Sequence, residues 1–171
     1  LIPISSALIR KRTLSRSLSN IGNSPSKMAA KIGNLNQTYK EQIMLTLQDE
    51  FDRHLVSHQA YPVVHFFSHQ NPEHCFNLNF VRLDEALSIL LEPENRENSN
   101  IPQKEELILL RGSMTSLLEH LQQNFAASLP EQSSTGKKID QIDLLNLNQR
   151  RKLLSSLLES EGFTWKVVEG S

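Results

Sequence analysis

Apolar side chains recur every three or four residues over most of this chain, and this periodicity limits the fold more than any other feature. The strongest case lies at residues 103–128, where one face carries Leu107, Leu110, Met114, Leu117, Leu121 and Phe125. Such spacing is typical of an α-helix with one side in a core. Residues 37–60 and 148–162 predict further helices, as does the stretch from a start at Asn71-Pro72-Glu73 to a stop at Glu92-Pro93, and no strand pattern competes with them. The sequence therefore predicts an all-α fold, an irregular helical bundle of about four to five helices.

Proline, glycine and polar stretches predict where these helices begin and end. Ser24 followed by Pro25 is typical of a helix start, since serine caps and proline fits the first turn. Tyr61 precedes Pro62, which disfavours helical geometry in the residue before it and predicts a break there. Residues 93–103 and 130–138 are polar and predict loops. At 171 residues, the chain is long enough for one domain with a core.

Charge divides the chain into a basic head and an acidic body. Residues 1–40 hold seven basic side chains and no acidic one, whereas the remaining residues hold 11 basic and 19 acidic side chains. This asymmetry predicts that the head meets an anionic surface. No aromatic residue lies among the cations at residues 10–16, so a platform for base stacking is missing and nucleic acid is not expected as a partner.

The first residues have the pattern of the end of a membrane helix. Residues 1–9 are mostly apolar and are followed at once by Arg10, Lys11 and Arg12, a pattern typical of the cytoplasmic side of a span. We therefore expect residues 1–22 to be the end of a membrane helix and a basic juxtamembrane segment, and residues 23–171 to be a cytosolic helical domain. The side chains expected at the membrane surface are Arg10, Lys11, Arg12 and Arg16. The alternative is a soluble N-terminus with a solvated basic patch.

Histidines are concentrated between residues 54 and 76. His54 and His58 are four residues apart, as are His65 and His69, which would place each pair on one helical face. His74 and Cys75 add further possible ligands for zinc. Pro62 separates the pairs, however, and the spacing matches no zinc signature. We predict that neither a metal nor another cofactor binds here, and a zinc-dependent helical domain remains the weakest alternative.

No residue pattern indicates catalysis. Adjacent helical residues point in different directions, so His74 and Cys75 do not form a dyad. The chain has no glycine-rich phosphate loop, nucleophile elbow or HExxH motif, and no enzyme activity is expected. Asp84 and Glu85 are predicted to face solvent. The aromatic residues Tyr61, Phe66 and Phe67 are predicted to be core residues.

Several segments resemble a bacterial family of small ion-channel-like membrane proteins of the potassium-channel type. LIPISSA at residues 1–7, Lys11-Arg12 and GNSP at 22–25 look like the segment that leaves the last pore helix of that family. Two signatures of its cytosolic tail resemble AYPVVHFF at 60–67 and LDEAL at 83–87. The close of that tail is similar to RRKLL at 150–154 and EGFTW at 161–165. Family members carry acids after the proline matching Pro25, where this chain has Ser26 and Lys27.

The resemblance implies a cytosolic assembly or regulatory domain of a bacterial ion channel, most readily a potassium channel, at the cytoplasmic side of the inner membrane. Its implied partners are its own transmembrane pore region, an anionic membrane surface and further copies of itself. The face from Leu107 to Phe125 is the predicted contact between copies, because its near-heptad spacing suits helix pairing. The competing hypothesis is a free-standing helical adaptor that binds a protein partner in a groove between its helices.

Overall fold

The computed structural model of the protein describes residues 3–67, 71–95, 102–125 and 147–170. These residues form six α-helices and no strand, so the all-α prediction is confirmed with a helix count close to that expected. In chain order the helices are α1 (Ile4–Ile21), α2 (Pro25–Asn34), α3 (Gln37–Ala60), α4 (Phe76–Leu91), α5 (Lys104–Phe125) and α6 (Leu147–Glu159). The loop predicted at residues 130–138, most of that at 93–103, Leu1, Ile2 and His69 lie outside the described residues.

The helix boundaries follow from side-chain caps and proline positions. Ser24 Oγ accepts a hydrogen bond from the Lys27 backbone N–H at 3.3 Å, which confirms the predicted start of α2. Asn36 caps α3 in the same way, through its side-chain oxygen and the Tyr39 N–H. α3 ends at Ala60, and Pro62–Phe66 then form a 3₁₀ turn, which we call the Pro62 turn. The helix break before Pro62 is therefore confirmed.

α4 is the central helix of the bundle. All of its residues except Ser88 and Ile89 are buried, and α1, α2, α5 and α6 pack around it. Phe80 on α4 meets Phe51 on α3 edge to face, with ring centroids 5.7 Å apart. Both rings are fully buried, so they join the two helices at the middle of the core.

α1 belongs to the same core. Ala7, Leu14 and Leu18 are fully or almost fully buried, and the helix packs on α3 and α4. The boundary predicted at residue 22 therefore does not mark the edge of the packed domain. From Ala7 onward, the segment expected to be juxtamembrane is a structural helix of the bundle.

The apolar face of α5 lies inside the protomer. Leu107, Leu110, Met114, Leu117 and Leu121 are each at most 3% exposed, and α5 packs along α3. The prediction that this face pairs with another copy is therefore wrong, because a single chain already buries it. Contact between copies would have to use other side chains.

A buried ionic network joins α4 to α5 and α6. Asp84 is 0% exposed and accepts hydrogen bonds from Arg150 Nε at 2.9 Å and from Arg111 Nη2 at 3.2 Å. The neighbouring Glu85 receives two hydrogen bonds from Arg151 at 2.8 and 2.9 Å. The prediction that Asp84 and Glu85 face solvent is therefore wrong. Their arginine partners come from α5 and α6, which sequence spacing along α4 alone does not show.

The last described residues fold back onto the first loop of the chain. Arg82 on α4 donates from Nε to the Val168 carbonyl at 3.2 Å and from Nη2 to the Val167 carbonyl at 2.8 Å. Gly170 has φ +78°, and a Cβ there would lie 2.8 Å from the Asn23 carbonyl oxygen. The C-terminal turn therefore docks between α4 and the α1–α2 loop, where only glycine fits at position 170.

Candidate functional site

The outward face of α1 is basic. Ile9, Arg12 and Arg16 are exposed and spaced three and four residues apart, so they share one side of the helix, opposite the buried Ala7 and Leu14. Ile9 is 63% exposed. The helix thus carries two arginines and one large apolar side chain on a surface turned away from the core.

Lys11 does not belong to that outward face. Its side chain is 7% exposed, and Nζ donates to the carbonyl oxygens of Val64 at 3.1 Å and Phe67 at 3.0 Å. Burial lowers the pKa of Lys11, and the charge of Glu161 opposes that shift. The prediction that Lys11 sits at a membrane surface is therefore wrong. The Lys11 ammonium thus bonds to carbonyls at the end of the Pro62 turn, and the Val64 carbonyl also accepts the Phe67 N–H.

Arg10 is half-buried and ties α1 to the end of α3. Its Nη1 donates to Ser57 Oγ at 3.2 Å. Together, Arg10 and Lys11 hold α3 and the Pro62 turn beside the middle of α1. Of the four side chains expected at a membrane, Arg12 and Arg16 are thus exposed, Arg10 partly so, and Lys11 buried.

Replacing Lys11 with methionine is expected to lower the free energy of unfolding by about 2 kcal/mol. The variant keeps an apolar stem but loses the hydrogen bonds that the buried ammonium donates to the carbonyls of Val64 and Phe67. Urea denaturation would measure the difference. Arg12→Met on the exposed face is the matched control, expected within about 0.5 kcal/mol of wild type. Equal losses in both variants would contradict this role for Lys11.

The aromatic side chains of the Pro62 turn are not core residues. Phe66 is 74% exposed and Phe67 is 50% exposed, while Tyr61 is half-buried. Val64 alone in the Pro62 turn points into the core. The prediction of core positions for Phe66 and Phe67 is wrong because a 3₁₀ turn of this length can bury only one side.

Four histidines gather where α3, α5 and the Pro62 turn meet. His58 Nδ1 lies 3.0 Å from His120 Nε2, and the ring centroid of His58 is 5.9 Å from that of His54 and 5.5 Å from that of His65. His54 is 1% exposed, packs against the tilted ring of Phe76, and has no hydrogen-bond partner for either ring nitrogen among the described residues. His54 and His58 therefore lie on one face of α3, as their spacing predicted. His120 joins the cluster from α5, which the spacing did not indicate.

Burial keeps this histidine cluster uncharged. It lowers the pKa of His54 and of His58 to about 3 and that of His65 to about 4, and the nearby charge of Lys11 acts in the same direction. The pKa of His120 is also lowered by burial. Within the described ranges, no three His, Cys, Asp or Glu side chains are grouped so that they could hold a metal ion.

Cys75 pairs with a carboxyl group near the C-terminal end of the chain. Its thiol is 1% exposed and donates to Glu161 Oε2 at 2.6 Å. Burial, followed by the nearby Glu161 carboxylate, raises the pKa of Cys75 to about 12. A nucleophilic thiol needs a lowered pKa, so this cysteine has a structural environment.

A polar cleft of about 580 Å³ opens beside α1 and the α1–α2 loop. Arg16 and Arg82 line it together with Glu73. Because the lining carries charges of both signs, the cleft favours no single class of ligand. Arg82 was not predicted as a functional or structural residue, since its carbonyl partners Val167 and Val168 lie on a distant segment.

Among the residues that the structure describes, no helix has the length and apolar character needed to cross a bilayer. Comparison with protein-family models, with curated protein sequences and with solved structures finds no match to this chain.

Proposed function

We propose that this chain is the cytosolic assembly or regulatory domain of a bacterial ion-channel-like membrane protein of the potassium-channel type. The observation that supports it is the outward face of α1, where Ile9, Arg12 and Arg16 are exposed on a helix otherwise packed into the bundle. Such a face suits the headgroups of an anionic membrane. The resemblance of the segments at residues 1–25 and 60–67 to the channel family points the same way.

The packing of α1 gives this proposal a physical route for regulation. α1 contacts α3 and α4 through its buried face, and Arg10 and Lys11 bond to the end of α3 and to the Pro62 turn. A displacement of α1 by a pore helix would therefore be resisted by the whole bundle. Conversely, a change in the bundle would bias the position of α1.

Vesicle binding tests the membrane-facing part of the proposal. The purified chain should bind vesicles of phosphatidylcholine with phosphatidylglycerol at low salt and release at high salt, because the attraction is screened. Arg12→Gln with Arg16→Gln should weaken binding by about tenfold or more, since each cation near the surface contributes about 1 kcal/mol. Lys152→Gln with Lys166→Gln removes the same charge from exposed sites elsewhere and should have little effect.

Two outcomes would contradict this prediction. Equal binding to neutral vesicles would exclude the electrostatic attraction. Equal weakening by the α6 and C-terminal control variant would show that net charge matters and the α1 face does not.

A free-standing adaptor is the second candidate, and exposed apolar side chains on two other helices favour it. Leu45 on α3 is 67% exposed and Leu109 on α5 is 57% exposed, so either could meet a protein partner. The two functions differ in what precedes residue 1 in the gene. A pore loop and a helix of about 20 apolar residues there would support the channel. A polar, soluble upstream sequence would leave the adaptor.

A further inference from the structure

We propose that α2 of one copy packs on the outward face of α3 of a second copy, so that the chain assembles head to tail. This inference rests on the proposed function, in which copies of the chain gather beneath one pore. It deepens that function by naming the two surfaces that meet. The apolar face of α5 cannot serve as this contact, because each protomer already buries it.

The outward face of α3 is acidic and partly apolar. Residues three or four apart share one side of a helix, and every member of one such series on α3 is exposed. The series is Glu41, Leu45, Asp49, Asp52 and Val56. Leu45 is 67% exposed and Val56 is 60% exposed. Arg53 bonds to Asp49 at the edge of this face, whereas Asp52 has no ion pair among the described residues. The face therefore offers a partner both apolar contact and negative charge.

The outward face of α2 is basic. Lys27 and Lys31 are exposed one turn apart, with the small exposed side chain of Ala30 beside them. α2 contains no acidic residue, and neither lysine forms an ion pair within the described part of the chain. The helix is about 15 Å long, and Leu45 to Val56 on α3 spans about 17 Å. The two faces are thus opposite in charge and similar in length.

The two faces belong to separate parts of the protomer. α2 and α3 both pack on α1, but among the described residues these two helices do not pack closely on each other. In the proposed function α1 leads to the pore, so α2 and α3 flank the helix that points toward it. Each copy can then offer α2 to one neighbour and α3 to another. Contacts of this head-to-tail kind form a ring when the rotation between copies closes.

The charges on the other helices favour α2 as the occupant of the α3 face. Within the described helices, only α1 and α2 have outward faces whose charged side chains are all basic. The exposed arginines of α1, Arg12 and Arg16, face the membrane in the proposed function. The exposed charges of α5 and α6 include Glu105 and Glu159, which the carboxylates of α3 would repel. α2 of a second copy is therefore the basic helix that remains for this contact.

Charge reversal tests the contact. Asp49→Lys with Asp52→Lys reverses the α3 face, and Lys27→Glu with Lys31→Glu reverses the α2 face. Each variant alone should weaken self-association of the purified chain by about tenfold or more, measured by sedimentation, because like charges would then meet. An equimolar mixture of the two variants should recover the wild-type association, because alternating copies place opposite charges at every contact.

A matched control reverses two exposed lysines elsewhere. Lys152→Glu with Lys166→Glu should associate like wild type. Circular dichroism would verify that every variant remains folded. A wild-type chain that stays monomeric at the highest attainable concentration would overturn the inference, as would a mixture that does not recover association. Loss of association on Arg12→Glu with Arg16→Glu, with the α2 variant unaffected, would assign the α3 face to α1 and also overturn it.

The proposed function is tested separately. If the association does not follow these charges, while Arg12→Gln with Arg16→Gln still weakens vesicle binding, the contact is overturned and the membrane-facing part of the proposed function stands. If the charge-swapped mixture recovers association but the chain binds no anionic vesicle, the contact stands and that part of the proposed function is contradicted.

Discussion

Replacing Arg150 with glutamine is expected to cost about 3–5 kcal/mol of the free energy of unfolding, because the change leaves a buried carboxylate without its main partner. Asp84 is fully buried and receives hydrogen bonds from both Nε and Nη2 of Arg150. Arg111 remains nearby but makes only one bond to Asp84, at 3.2 Å. The total free energy of unfolding of a small domain is roughly 5–15 kcal/mol, so this variant would lose a large part of its stability.

Arg151 provides the matched control for this prediction. It is the next residue of α6 and pairs with Glu85, but its side chain is 44% exposed. Solvent screens such a pair, so Arg151→Gln should cost less than about 1 kcal/mol. Urea unfolding of the two variants would measure the difference, and equal losses would contradict the distinction between buried and exposed pairs. Replacing Asp84, Arg111 and Arg150 together with apolar residues should restore much of the loss.

Acid is expected to unfold this domain through its neutral histidines. The pKa values of His54 and His58 are about 3 in the folded state, below the ordinary value of 6.5. The unfolded chain therefore takes up protons first as the pH falls, and the stability present above pH 6.5 is lost progressively below it. For His54, the loss between pH 7 and pH 5 should be on the order of 2 kcal/mol.

His54→Leu isolates this contribution. Both ring nitrogens of His54 lack partners among the described residues, so leucine should leave the stability at pH 7 unchanged or raise it. The variant should also lose less stability on acidification, as followed by urea unfolding at several pH values. Val56→Ala, at an exposed position of the same helix, is the control and should keep the wild-type pH dependence. An unaltered pH dependence in His54→Leu would contradict the assignment.

The helices could be predicted from the sequence because their signals are local. Each signal involves only residues close together in the chain. Examples are the four-residue spacing of apolar residues around Phe51, the Ser24 cap and the break before Pro62. The interior of α4 shows the limit of such signals. Asp84 and Glu85 look solvent-facing until the arginines of α6 are placed against them, and nothing in the sequence around α4 indicates that pairing.

In the candidate site, too, local features could be predicted from the sequence and contacts between distant segments could not. The basic face of α1 is visible in the sequence because Arg12 and Arg16 share a side of one helix. The burial of Lys11 depends on the Pro62 turn, since its ammonium bonds to the carbonyls of Val64 and Phe67. That contact joins residues more than fifty positions apart, so neither half of it could be predicted from its own neighbourhood.

The docking of the C-terminal turn constrains when the domain can be completed during synthesis. Asn23 leaves the ribosome early. Gly170, which packs against it, is translated only after almost all of the rest of the domain. Arg82 likewise must wait for the carbonyls of Val167 and Val168. Contacts between such distant positions form slowly and late. A nascent chain stalled before residue 165 would therefore expose the Arg82 side of α4 and the α1–α2 loop, a state that chaperones could bind.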